Sequence, residues 1–460
     1  MWNRLAAVAA CLSLAAGYPA VARPAPPPVP ARAPAPDTSW VARSAIYEVF
    51  VRDFSPQGDF RGVIAGLDRI QAVGANVVWL MPIYPVGVVN RKGPLGSPYA
   101  VRDYRAIDSA FGTAADFREL VAAVHARGMK LILDWVPNHT AWDNVWVREH
   151  PDFYVRNDSG GLTVPLDPQG KSTGWTDVAQ LDYRNPALRR AMIAAMRWWL
   201  EEFGIDGFRV DAAGFVPDDF WREALPAVRS AARQPILLLA EWGDLKMHRL
   251  GFDLTYAWDS YSRLKAVWKG AAAATFVQGE LADMEAMPPG GMRLRFTTNH
   301  DETAWDNPPV TLFGGAAGAR AAFVAMALLP GRPLIYNGQG VESPQKLGLF
   351  VRDPIAWDQP HAAEATAFYR RVVQLARTDS ALSAGDLREA PTSAPDDVIA
   401  YRRGHAVVLV NARAHAVRVT VTGFGVDGAR DLLSNHTQHG ITVTLPAYGA
   451  IVLRRPPTGG

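Results

Sequence analysis

The segment NPALRRAMIAAMRWWLEEFGIDGFRVD, residues 185–211, contains one complete helix-to-strand unit. Its Asn-Pro start is typical of a helix N-terminus, and Gly204 is typical of a helix end. Apolar side chains recur between these two signals at helical spacing. They are Leu188, Met192, Met196, Trp199, Leu200 and Phe203. The apolar run Gly207–Val210 then predicts a buried strand that ends at the charged Asp211.

The same alternation of short apolar runs and amphipathic segments extends over most of the chain. Eight runs predict strands, at residues 45–51, 76–81, 130–133, 207–210, 236–240, 254–258, 294–297 and 333–336. Eight strand–helix units predict an α/β fold, a (β/α)8 TIM barrel, with an open doubly wound sheet as the alternative. Asp134, Asp211, Glu241 and Asp301 each follow a run. Because the C-terminal strand ends of a barrel converge on one site, these positions favour the barrel.

Two segments depart from this alternation. Residues 140–184 are longer than an ordinary connection, and we expect them to form a short inserted subdomain over the barrel mouth, after strand 3. After about residue 384 helical periodicity stops and short alternating runs begin. We therefore expect the barrel to occupy residues 40–383 and a C-terminal antiparallel β-sandwich to occupy residues 384–456.

We expect the first 39 residues to lie outside the folded domains. Residues 1–22 predict a signal peptide, because a short apolar stretch precedes an A-x-A site that ends at Ala22. Residues 23–39 are Pro-rich and predict a linker. The protein is therefore expected to be secreted or periplasmic. The alternative is a membrane-anchored lipoprotein with a lipidated Cys11, since Val8-Ala9-Ala10-Cys11 resembles a lipobox.

The composition is that of a globular protein, with 49% hydrophobic and 20% charged residues among 460. The formal net charge of +2 gives no electrostatic case for nucleic acid or for an anionic membrane. One cysteine excludes a disulfide framework and a multi-thiolate metal site. We expect a monomer.

Two of the strand ends carry carboxylates suited to acid–base and nucleophilic chemistry. Arg209 and Asp211 lie two residues apart on a strand, so both should point into the barrel, where the guanidinium should lower the pKa of Asp211 and keep it ionised. Glu241 follows an apolar strand and precedes Trp242, and poor solvation should raise its pKa and suit it to donate a proton. A structural ion pair and a surface carboxylate are the respective alternatives.

Taken together, the motifs resemble the α-amylase family of retaining, α-glucan-active enzymes. Residues 134–139, 207–211, 241 and 296–301 match the family's four short motifs in order. The resemblance implies that Asp211 is the nucleophile, that Glu241 is the acid/base and that Asp301 hydrogen-bonds ring hydroxyls. It also implies that Arg209 holds Asp211 ionised. His139, His300 and Tyr99 would bind the sugar that is cleaved.

Six tryptophans lie near the predicted mouth, where aromatic faces could stack on sugar rings. They are Trp135, Trp142, Trp146, Trp175, Trp242 and Trp305. Core packing is the alternative for each, and Trp242 is the one predicted to bind substrate.

The sequence departs from the family at Gly214 and Phe215, where many α-amylases have Lys-His, and at Ala100, where the family often has Asp. The loops also offer few oxygen ligands for calcium, Asn138 being one candidate. We therefore predict no required metal or other cofactor, with calcium as the alternative. The expected substrate is a malto-oligosaccharide or a starch-like polymer. A transglycosylase of the same family and a non-catalytic carbohydrate-binding barrel are the alternatives to a hydrolase.

Overall fold

The computed structural model describes residues 38–167 and 169–455. The predicted signal peptide, the predicted lipidation site at Cys11 and nearly all of the predicted linker lie outside the described residues. Within the described ranges, no helix is long and apolar enough to cross a membrane.

Eight parallel strands close into a barrel, in the order β1-β10-β9-β8-β7-β6-β3-β2. In chain order the strands of the described residues are β1 (Ile46–Val49), β2 (Val77–Leu80), β3 (Lys130–Trp135), β4 (His139–Ala141), β5 (Val178–Gln180), β6 (Gly207–Val210), β7 (Leu237–Ala240), β8 (Leu254–Tyr256), β9 (Met292–Arg295), β10 (Arg332–Tyr336), β11 (Leu387–Glu389), β12 (Val398–Arg403), β13 (Ala406–Asn411), β14 (Val417–Thr420), β15 (Arg430–Asp431), β16 (Thr442–Leu445) and β17 (Ala450–Arg454). The predicted TIM barrel is confirmed. Its seventh strand, β9, begins and ends earlier than the predicted run of residues 294–297. Phe296 and Thr297 are buried beyond the strand end, so the apolar pattern extends past the strand.

Helices surround the barrel. In chain order they are α1 (Val51–Phe54), α2 (Phe60–Ala65), α3 (Leu67–Ala72), α4 (Ala114–Ala126), α5 (Val145–Glu149), α6 (Pro186–Phe203), α7 (Asp218–Ala231), α8 (Lys246–Leu250), α9 (Trp258–Trp268), α10 (Ala273–Ala286), α11 (His300–Trp305), α12 (Pro309–Leu312), α13 (Gly315–Ala327), α14 (Ala362–Thr378) and α15 (Ser380–Ala384), with 3-10 turns at Thr38–Arg43, Pro151–Phe153, Ala213–Phe215 and Gln339–Val341. In α6 the Asn185 side chain accepts a hydrogen bond from the Ala187 backbone N–H, which caps the helix start. Gly204 ends α6 in the left-handed conformation, at φ 65°. All six periodic apolar residues of this helix are buried, as predicted.

The segment between β3 and β6 and the C-terminal region follow other patterns. Strands β4 and β5 pair antiparallel and bring the two ends of residues 139–180 together. Beyond the barrel, β11, β12, β13, β17 and β15 form one antiparallel sheet, and β14 pairs with β16. Val407 of β13, Val419 of β14 and Val443 of β16 share one buried apolar cluster, so the two sheets pack face to face as a sandwich. The exact domain boundaries stay predictions.

Candidate active site

A cavity of about 180 Å³ opens at the C-terminal ends of the barrel strands. Six of the eight residues predicted for the site line it: Tyr99, His139, Asp211, Glu241, His300 and Asp301. They come from different parts of the chain, because the C-terminal ends of parallel barrel strands converge. The other two, Arg209 and Trp242, are not in the lining.

Arg209 lies below the cavity on β6 and is fully buried. Its Nη1 is 2.8 Å from Asp134 Oδ1 and 3.2 Å from Asp211 Oδ1, and its Nη2 is 2.6 Å from Glu241 Oε1. Its Nε donates a hydrogen bond to the Tyr256 hydroxyl at 3.2 Å. One guanidinium therefore positions three carboxylates from three neighbouring strands.

Burial has a larger effect on Asp211 than the guanidinium does. Burial raises the pKa of Asp211 to about 7, although Arg209 lowers it and Asp134 raises it further. Arg209 lowers the pKa of Asp211, as predicted, but burial outweighs this effect, so the pKa lies above its ordinary value. The reason is that Arg209 shares its charge among three carboxylates in a site where water solvates none of them well.

Glu241 follows β7 and has the environment that the sequence predicted. Burial raises the pKa of Glu241 above its ordinary value, with Arg209 opposing the shift and Asp211 adding to it. The backbone N–H of Ala212, directly after Asp211, donates a hydrogen bond to Glu241 Oε2 at 2.8 Å. The carboxyl group is thus fixed beside Asp211 and favours the protonated state near neutral pH.

Asp134, near the end of β3, accepts hydrogen bonds from two neighbouring aromatic residues. Its Oδ2 accepts hydrogen bonds from Trp79 Nε1 at 3.2 Å and from the Tyr99 hydroxyl at 3.1 Å. Burial raises the pKa of Asp134 to about 6, although Arg209 opposes the shift. Asp134 is fully buried, so it acts through Arg209 and Tyr99 and has no surface of its own in the cavity.

His300 is held from below by Glu48, which the sequence analysis missed. Glu48 Oε1 lies 2.5 Å from His300 Nδ1, and the Tyr99 hydroxyl lies 2.8 Å from His300 Nε2. Burial lowers the pKa of His300, but the negative charges of Asp301 and Glu48 outweigh burial and raise it to about 9. The signal in the sequence was a single acidic residue in the otherwise uncharged strand β1. A charge in a strand buried on both faces needs a partner inside the barrel.

His139 has the opposite electrostatic environment. It is buried at the start of β4, and burial lowers its pKa to about 4, although Asp177 opposes the shift. The ring of His139 packs against Trp175, with centroids 5.4 Å apart. A neutral imidazole can both donate and accept hydrogen bonds, which suits it to bind sugar hydroxyls.

The departure from the family at Gly214 and Phe215 has a steric cause. A Cβ atom on Gly214 would lie 2.0 Å from Cε2 of Trp242, so the Trp242 ring occupies the space that a lysine would need. Phe215 stacks on Trp175 at 5.7 Å between centroids and meets the edge of Trp242 at 5.5 Å. An aromatic surface beside Glu241 therefore replaces the Lys-His pair.

Of the other tryptophans predicted near the mouth, two line the cavity and one lies in the barrel core. Trp175 and Trp305 line the cavity, and Trp305 is 66% exposed at its rim. Trp135 is fully buried against Tyr84 and Phe208 and serves the barrel core.

The described part of the chain contains no group of three or more His, Cys, Asp or Glu residues that could hold a metal ion. Asn138, the calcium-ligand candidate, is buried with its side-chain nitrogen 3.3 Å from His139 Nδ1. No step of the proposed mechanism involves a metal. Independence from metals stays a prediction.

Comparison with known proteins gives consistent results. The family model for the α-amylase catalytic domain matches residues 36–161 and 172–236. The α-amylase MalA of Haloarcula japonica is 30% identical over 431 residues, which are 88% of this chain and 60% of MalA. An oligo-1,6-glucosidase of Halalkalibacterium halodurans is 33% identical over 214 residues, 39% of this chain and 36% of that protein. The matched regions therefore span less than two thirds of the length of these two relatives.

A solved structure matches over nearly its full length. The crystal structure of an α-amylase from Lactobacillus plantarum is 30% identical and superimposes with a TM-score of 0.80, covering 90% of this chain and 99% of that one. The barrel, the order of the motifs and these matches agree. The chain belongs to the α-amylase family.

Proposed function

We propose that this protein is a retaining glycoside hydrolase that cleaves α-glucosidic bonds in malto-oligosaccharides or starch-like α-glucans. The observation that carries the proposal is the placement of Asp211 and Glu241 on adjacent nitrogens of one buried guanidinium, at the floor of one cavity. Retaining glycosidases place their two carboxyl groups only ~5–5.5 Å apart, so that one attacks while the other donates a proton. The short bridge through Arg209 favours that compact arrangement.

The proposed mechanism is a double displacement. Asp211 attacks the anomeric carbon and forms a glycosyl–enzyme ester, while Glu241 donates its proton to the departing glycosidic oxygen. Glu241 then removes a proton from water, the water oxygen bonds to the anomeric carbon, and the Asp211 carboxylate is released. When substrate binds, the Asp211–Glu241 pair must carry one proton in total. Asp211 then has to be ionised and Glu241 protonated.

The other lining residues have binding roles in this mechanism. Asp301 accepts hydrogen bonds from ring hydroxyls, and the charged His300 donates its Nε2–H to one of them in place of the Tyr99 hydroxyl. The neutral His139 binds another hydroxyl. Tyr99 packs against His300, with ring centroids 5.3 Å apart, and offers its face to the sugar. Arg209 is a positioning residue, because it has no access to the cavity.

Transglycosylation is the second candidate. The aromatic surface of Trp175, Phe215 and Trp242 lies beside Glu241, where an acceptor sugar could stack and compete with water for the glycosyl–enzyme. Products longer than the substrate, formed at high substrate concentration, would support it.

The test is a panel of α-1,4- and α-1,6-linked gluco-oligosaccharides incubated with purified protein, with products separated by chromatography. We expect cleavage of at least one α-glucosidic linkage by the natural protein and none above background by Asp211→Asn. Binding of these oligosaccharides without turnover would instead identify a carbohydrate-binding barrel and overturn the proposal.

We also propose that the protein is exported and acts as a monomer. Support for export comes from the apolar segment and the A-x-A site of residues 1–22. Cell fractionation separates the outcomes. Soluble protein outside the cytoplasm fits cleavage after Ala22, and membrane-bound protein that Cys11→Ser releases would establish the lipoprotein alternative.

A further inference from the structure

We propose that an ion pair between Lys92 and Asp177 closes the end of the cavity that receives the non-reducing end of the substrate, so that the enzyme releases one glucose at a time from that end. This inference rests on the proposed hydrolase function and adds its mode of attack.

The ion pair joins two different segments in the cavity wall. Lys92 Nζ lies 2.9 Å from Asp177 Oδ1, and both residues line the cavity. Lys92 comes from the loop between β2 and α4, and Asp177 directly precedes β5. Asp177 is buried, so its charge has little contact with water and depends on Lys92.

The Lys92 loop is also fixed on its other side, to the segment that follows β10. The Leu95 backbone N–H donates to the Phe350 carbonyl at 3.1 Å. Nη1 of the buried Arg52 donates to the carbonyls of Gly96 at 3.2 Å and Leu349 at 3.0 Å. Leu349 and Phe350 themselves line the cavity. The ion pair and these backbone contacts connect three segments into one continuous wall.

Two of the three segments of this wall, those that follow β2 and β10, lie across the barrel from the proton donor. In the closed strand order, β2 and β10 flank β1, and β1 is diametrically opposite β7. Glu241 directly follows β7. Because Glu241 donates its proton to the departing oxygen, the leaving chain extends on the β7 side, over Trp242 and Phe215. The wall therefore meets the other end of the sugar that is cleaved.

The size and polarity of the cavity fit a single terminal sugar. Its volume of about 180 Å³ lies below the ~300–1,000 Å³ that is typical of ligand pockets. A terminal glucosyl residue presents a free 4-hydroxyl that can hydrogen-bond to Lys92 and Asp177. An internal residue carries the next sugar on that oxygen, which would collide with the wall and leave the ion pair without its hydroxyl partner.

The experiment follows the early products of maltoheptaose carrying a fluorophore at its reducing end. We expect the natural protein to give a labelled product one glucose shorter, together with free glucose. The double variant Lys92→Ala/Asp177→Ala removes both charges at once and opens the wall. We expect it to raise the early yield of labelled products shortened by two or more glucoses by about tenfold. Lys92→Ala alone, at a partly exposed site, should shift the products in the same direction.

A matched control pair lies at the opposite end of the barrel. Lys130 Nζ is 2.8 Å from Asp206 Oδ1, and the side chains are 28% and 6% exposed, against 34% and 6% for Lys92 and Asp177. Lys130→Ala should leave the product pattern unchanged. Internal cleavage or maltose release by the natural protein would overturn this inference and leave the proposed function standing. An unchanged product pattern in the double variant would also overturn this inference. No cleavage of any α-glucan overturns both.

Discussion

Two arginines on barrel strands, Arg209 on β6 and Arg295 on β9, are fully buried but differ in the numbers of positive and negative groups around them. Arg295 Nη1 lies 2.6 Å from Glu280 Oε2, and Arg263 Nη2 lies 2.8 Å from Glu280 Oε1. Around Glu280, two guanidinium groups share one carboxylate. Around Arg209, three carboxylates share one guanidinium.

The difference separates an ion pair that holds the fold from a cluster that carries chemistry. Negative charge at Arg209 exceeds the positive charge beside it, and burial keeps water from compensating. The pKa of Asp134 is therefore raised to about 6 and that of Asp211 to about 7. A proton donor requires a pKa near neutral pH, whereas the nucleophile has to be ionised when substrate is bound. Neutralising a carboxylate should therefore have opposite consequences at the two sites.

The largest effect should come from Asp211→Asn. The amide cannot attack the anomeric carbon, so kcat/KM on the best oligosaccharide should fall by at least about 10⁴-fold. The variant should fold as the natural protein does, which circular dichroism and thermal melting would check. Residual activity of more than about 1% would contradict the assignment of Asp211 as nucleophile.

At the other arginine, Glu280→Gln should act on stability. It leaves Arg295 and Arg263 without their shared carboxylate, and breaking a buried pair in this way destabilises a protein by about 3–5 kcal/mol. Urea titration should show a lower midpoint, while kcat per folded molecule stays close to that of the natural protein. A midpoint that does not move would mean that Glu280 contributes no net stabilisation.

The difference in Tm between Asp211→Asn and the natural protein should grow as pH rises. The raised pKa of Asp211 means that the folded protein keeps a proton between about pH 4 and 7 that the unfolded chain has lost. The stability of the natural protein due to this group is therefore fully present below pH 4 and is lost as pH rises toward 7. Asparagine has no such titration. The Tm of the variant should match that of the natural protein near pH 4 and exceed it by roughly 2–5 °C above pH 7. A constant Tm difference across this range would argue against the raised pKa.

A smaller effect is expected from Glu48→Gln, which keeps the shape of the side chain and removes its charge. His300 loses a partner that raises its pKa, so it should deprotonate at lower pH. We expect kcat/KM at neutral pH to fall by about tenfold and the pKa of His300, followed by NMR of its imidazole, to move below about 9. A purely structural role for Glu48 would lower activity without moving that pKa.

The sequence predicted the barrel because each strand combines a short apolar run with a polar residue at its C-terminal end. It did not predict the direction of the Asp211 pKa, because the sum of the effects of one guanidinium, three carboxylates and burial depends on distances in space. Glu48 was missed for a related reason, since its partner His300 lies 252 positions away in the chain. The Lys92–Asp177 pair joins two loops with no periodic pattern, so nothing in the sequence relates them.

The most direct test of the central claim is proton NMR of the anomer first released from a malto-oligosaccharide by the natural protein. Double displacement through Asp211 inverts the anomeric carbon twice, so the α-anomer should appear first and mutarotate slowly to the β-anomer. A β-anomer as the first product would mean direct attack by water. It would contradict the assignment of Asp211 as a nucleophile paired with Glu241 through Arg209.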